Sequence, residues 1–95
     1  MSRDEIVKQG AADFYRILKS NPLTLQERVA EIRLHEEFGY HNDTYLYLDI
    51  VGESGRCQWR YPGAAINYPV EKLQAIGEYL SDLFSCPFKV KLFPY

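Results

Sequence analysis

Apolar residues occupy every second position in four short runs of this chain: Ala30, Ile32, Leu34; Leu46, Leu48, Ile50; Cys57, Trp59, Tyr61; and Phe88, Val90, Leu92. Side chains alternate across a β-strand, so each run specifies a strand with one face to bury and one face left in water. Four such strands make a sheet whose apolar side needs a second layer to cover it.

Two segments have the period of a helix instead. Ser2 and Glu5 form a capping box, which satisfies two free amides at a helix start, and a helix from about Arg3 to Lys19 follows. Its stripe is Ile6, Val7, Gly10, Ala11, Phe14, Ile17 and Leu18, with Lys8, Gln9, Asp13, Arg16 and Lys19 opposite. Asn21-Pro22 ends it, because proline disfavours helical geometry in the residue before it. A second helix has Pro69 in its first turn, where the missing amide costs nothing, and runs to about Ser85 before Pro87. Val70, Leu73, Ile76, Gly77, Leu80, Leu83 and Phe84 form its apolar side; Glu71, Gln74, Glu78 and Asp82 form its wet side. Gly10 and Gly77 lie inside these stripes although glycine costs about 1 kcal/mol against alanine in a helix, so each is expected at a close approach of helix to helix or helix to sheet.

Residues 25–37 carry opposed signals. Thr24 and Glu27 read as a capping box ahead of good helix formers, whereas Ala30, Ile32 and Leu34 alternate against Glu31, Arg33, His35 and Glu37. The reading adopted is a helical turn at Thr24 to Arg28 followed by a strand. Gly39 to Asp43 is a turn, Thr44 to Val51 a strand, and Gly52-Glu53-Ser54-Gly55 a turn into a strand from Arg56 to Tyr61. Pro62 to Tyr68 is a loop, and Phe88 to Phe93 the last strand. The order α-β-β-β-α-β specifies a two-layer α+β domain over residues 1–95, with a mostly antiparallel four-stranded sheet and both helices on one face. The last strand should run parallel to the third; the pattern leaves open whether it lies beside the third or the first.

A chain of 95 residues with 46% hydrophobic and 25% charged content fits one globular domain. At this size folding buries only roughly 60 to 65% of the unfolded surface, so self-association can add useful stability. The net charge of -2 gives no global field toward nucleic acid or an anionic membrane. Cys57 and Cys86 match no metal spacing and are too few for a secreted disulfide scaffold, so reduced thiols and a cytoplasmic location are expected. No apolar run approaches a membrane span, and no signal peptide is read.

The functional lead is the wet sheet face, where Arg33, His35, Tyr45, Tyr47, Gln58, Arg60, Lys89, Lys91 and Phe93 fall together. Tyrosine and arginine bury much area at little entropic cost and are enriched at protein interfaces. The expected partner is therefore another protein or a second copy of the chain, with Tyr15, Tyr79 and Phe93-Pro94-Tyr95 extending the surface. Single-stranded RNA or DNA is the alternative, since bases stack on aromatic rings while phosphates meet cations. Catalysis finds no support: nucleotide-binding and nucleophile-elbow motifs are absent, and Glu36 and Glu37 point to opposite faces. Cys57 reads as an inert core thiol, and Cys86 lies at a helix C-terminus, where the dipole disfavours a thiolate. His35, Glu37, His41 and Asp43 surround one hairpin without the spacing of a zinc site, so neither metal nor cofactor is expected. Two structural expectations accompany this reading: Trp59 is shielded with its N–H bonded internally, and Tyr45, Tyr47 and Arg60 can be truncated to alanine with the fold intact.

Overall fold

A computed structural model describes residues 3–38, 44–61 and 70–92. The Ser2 cap, the Gly39 to Asp43 turn with His41, the Pro62 to Pro69 segment and Phe93-Pro94-Tyr95 lie outside the described residues. The elements are α1 (Arg3–Ser20), β1 (Val29–Phe38), β2 (Thr44–Gly52), β3 (Cys57–Arg60), α2 (Val70–Phe84) and β4 (Phe88–Lys91), giving the expected α+β order. The sheet order is β3-β2-β1-β4, with β1, β2 and β3 antiparallel and β4 joining β1 in parallel. The last strand therefore lies beside the first and shares the direction of the third.

α1 begins with Asp4 and Glu5 and ends with Lys19, charges that oppose the helix dipole at each end. The Asn21 amide closes its last turn on the Ile17 carbonyl at 2.7 Å. α2 ends in a Schellman motif: Cys86 N–H donates to Ser81 O at 3.1 Å and Ser85 N–H to Asp82 O at 3.3 Å, with Ser85 left-handed at φ 50°. Pro87 follows, and its carbonyl accepts from Ile32 N–H at 3.0 Å, which sets β4 directly against β1.

The core joins Phe14 of α1, Leu73, Ile76 and Leu80 of α2, and Ile32, Leu34, Leu48, Ile50, Trp59 and Tyr61 of the sheet. α2 lies on β1, β2 and β4. α1 leans on α2 and reaches the sheet through Phe14, whose ring meets Trp59 edge-on at 6.2 Å, and through Asn21 O, which accepts the Trp59 indole N–H at 3.3 Å. Gly77 sits at a close approach, as expected, whereas Gly10 faces α2 at ordinary contact distance. A Cβ on Gly10 would stand 3.4 Å from the Lys72 carbonyl oxygen of α2, and one on Gly77 would run into the Phe88 ring of β4.

Four expectations are corrected. Residues 24–28 form no helical turn: the Glu27 carboxylate instead accepts from Ser54 N–H at 2.8 Å and Ser54 O–H at 2.6 Å, and so ties this segment to the β2–β3 turn. Ala30 is exposed, because Glu31 pairs with Val51 and Val29 with Gly52, making Ala30 an extra residue in β1 and giving its inward place to Val29. Cys57 is exposed for a like reason. Ile50 pairs with Trp59 but Val51 with Cys57, so Gln58 is the extra residue and Cys57 faces outward with Val51. Val90 points inward opposite Leu34 but is 47% exposed, since it lies on the edge strand.

Candidate functional site

Strand pairing turns the wet face into rows. Lys89, Arg33, Asp49 and Arg60 run across β4, β1, β2 and β3; Lys91, His35 and Tyr47 form the next row, and Glu37 and Tyr45 the one beyond. Seven of the nine candidate residues thus share one surface. Gln58 leaves the group because it is the extra residue of β3: its Oε1 accepts from Gln26 N–H at 3.2 Å and its amide donates to Arg56 O at 3.3 Å. It lines a separate polar hollow of about 300 Å³ with Thr24, Gln26, Glu27, Arg56 and Cys57. Phe93 lies outside the described residues.

The centre of the face is Asp49, whose side chain is only 5% exposed although both described helices pack on the opposite face of the sheet. Its neighbours on the flanking strands seal it. Arg60 forks onto the carboxylate, with Nε donating to Oδ1 at 2.8 Å and Nη2 to Oδ2 at 3.0 Å, and His35 Nε2 lies 2.8 Å from Oδ2. The Arg60 guanidinium carbon stands 4.1 Å over the Tyr47 ring, a cation–π contact, and the His35 ring lies 5.5 Å from the same tyrosine. Burial alone would raise the Asp49 carboxyl, but the bonds and charges of Arg60 and His35 outweigh it and hold the group below the usual carboxylate range. The Asp49 bond in turn raises the Arg60 guanidinium further above its already high value.

The remaining cations are partly neutralised. Glu31 receives Arg33 at 3.3 Å and faces Lys89 at 3.8 Å. Arg60 is held by a buried carboxylate that His35 and the Cys57 thiol also contact, so its truncation is expected to cost more stability than an ordinary surface change. Alternation puts Asp49 on the wet face as a countercharge; its burial at the centre is what sequence reasoning missed. The available signal was a lone carboxylate in the most apolar strand, within Leu48-Asp49-Ile50-Val51.

His35 stands between two carboxylates, with Nε2 2.8 Å from Asp49 Oδ2 and Nδ1 3.8 Å from Glu37 Oε1. The Cys57 thiol donates to Trp59 O at 3.3 Å; burial first and then the Asp49 charge push it above the ordinary thiol range, against thiolate formation. Burial likewise raises Cys86. Among the described residues no three His, Cys, Asp or Glu side chains converge as metal ligands. No helix of the described residues is long and apolar enough to cross a membrane.

The helix layer carries a second surface on the far side of the sheet, which corrects the expectation that Tyr15 and Tyr79 extend the wet face. Tyr15 is 64% and Tyr79 50% exposed, and together with Ala11, Phe14, Ala75 and Ile76 they line a groove of about 160 Å³ between α1 and α2. Comparison with protein-family models, curated proteins and solved structures yields no match to this chain.

Proposed function

We propose that this chain is a non-catalytic protein-interaction module, acting in the cytoplasm, whose working surface is the open sheet face around Tyr45, Tyr47 and Arg60. The observation that carries this reading is the Tyr47–Arg60–Asp49–His35 cluster, in which an aromatic ring and a guanidinium are already fixed before any partner arrives. Preorganised tyrosine and arginine side chains lose little further entropy on binding, which suits them to the centre of an interface. Single-stranded nucleic acid is the second reading. It is disfavoured because Arg60, Arg33 and Lys89 already face Asp49 and Glu31, leaving little positive charge to meet phosphates.

The test is capture from nuclease-treated extract by the parent chain and by a Tyr45→Ala, Tyr47→Ala variant, which spares the Arg60–Asp49 pair. A partner protein retained by the parent and weakened at least about tenfold by the variant, with unchanged circular dichroism, is the expected result. A variant that keeps every partner overturns the reading. Capture that nuclease abolishes, or that collapses with rising salt, transfers the face to nucleic acid.

A further inference from the structure

The two faces of the molecule treat their charges differently. On the sheet, Glu31 and Asp49 already hold cations of the same chain. On the helix layer, Lys8, Lys19, Glu71, Glu78 and Asp82 make no ion pair among the described residues, and all five are exposed.

Their placement follows the groove between α1 and α2. Lys8 precedes Ala11 by one helical turn and Lys19 follows Tyr15 by one, so the α1 rim is basic beside the groove, with Asp4 and Glu5 a turn further out. Glu71 precedes Ala75 by one turn, Glu78 adjoins Tyr79 and Asp82 follows it by one; Lys72, also one turn before Ala75, is held by Asp13 of α1 at 3.3 Å, so the α2 charges left to meet a partner are acidic. Between the rims lie two half-exposed or more exposed tyrosine rings over a small-residue floor of Ala11 and Ala75. α1 is also the element least supported by the sheet, reaching it through Phe14 and Asn21.

From this arrangement we infer that the groove face is a self-association surface and that its occupant is a second copy of this chain. A surface that meets itself across a two-fold axis must be self-complementary. One basic rim and one acidic rim on either side of an apolar groove satisfy that condition when the axis runs along the groove, which sets the α1 rim of each copy over the α2 rim of the other. The tyrosines of both copies then close the apolar centre, while the sheet faces remain outward and free. The inference is independent of what the sheet face binds.

Sedimentation equilibrium of the full chain at physiological salt tests it. The parent should dimerise. Lys8→Glu with Lys19→Glu, and separately Glu71→Lys with Glu78→Lys and Asp82→Lys, should each weaken dimerisation at least about tenfold with unchanged circular dichroism. Mixing the two variants should restore a one-to-one dimer, and Tyr79→Ser in either should abolish it. If the triple reversal fails to fold, Tyr15→Ser with Tyr79→Ser in the parent carries the same test. A parent that stays monomeric, charge-reversed variants that stay dimeric, or a mixture that stays monomeric overturns the inference. Dissociation by Tyr45→Ala, Tyr47→Ala with the helix variants unaffected would place self-association on the sheet instead.

Discussion

Asp49 and Ser85 are two residues at which local chemistry runs against the generic preference of the position. Asp49 is a carboxylate sealed on a sheet, and its stability depends on the fork from Arg60 and the bond from His35. Arg60→Met should therefore cost about 1.5 to 3 kcal/mol in urea unfolding at neutral pH, well beyond an ordinary surface change. Because the folded Asp49 carboxyl titrates below its unfolded value, its stabilisation is fully present above about pH 4 and is lost as pH falls through the folded value. The parent should lose stability on acidification more steeply than Asp49→Asn, as read from urea midpoints between about pH 5 and pH 2. Ser85 is left-handed at the Schellman position that glycine usually fills. Ser85→Gly should raise stability by about 0.5 to 1 kcal/mol, measured by the same unfolding curves.

At the scale of elements, the two helix glycines separate sharply. Gly77 lies on the Phe88 ring, so Gly77→Ala must displace a packed aromatic and should cost about 1 to 3 kcal/mol; Gly10→Ala makes an ordinary contact with Lys72 and should gain up to about 1 kcal/mol from helix propensity. Thermal melts of the pair check the difference. Both glycines were legible in the sequence because they interrupt apolar stripes. Alternation also identified Ile32, Leu34, Leu48, Ile50, Trp59 and Tyr61 as the inner face, and placed Arg33, Tyr47 and Arg60 on the outer one. It failed at Ala30 and Cys57, since an extra residue in one strand of a ladder leaves no mark in hydrophobic period. Thr24 and Glu27 misled for another reason: a carboxylate suited to a helix start was taken by Ser54, far along the chain. The sealing of Asp49 was hidden because it is made by side chains from β1 and β3, a cross-strand effect that no single run displays.

Over the whole molecule, Trp59 reports on assembly, since it touches Phe14 of α1, Tyr61 of the sheet and the backbone at Asn21. Its emission should be blue-shifted in the native state and move to longer wavelength on unfolding, together with the loss of helical circular dichroism; native emission typical of hydrated indole would contradict the described packing. The parallel pairing of β4 with β1 also imposes an order in time. During synthesis at roughly 5 to 20 residues per second, the β1-β2-β3 meander is available a few seconds before β4 emerges. For that interval the backbone groups of β1 that will pair with β4 stand open beside the apolar Ile32 and Leu34. Once β4 docks, the outermost strand carries Lys89 and Lys91, charges that discourage strand addition. The hazard of aggregation therefore belongs to the nascent chain: slowing translation between β3 and β4 should lower soluble yield even though the finished molecule is unaltered.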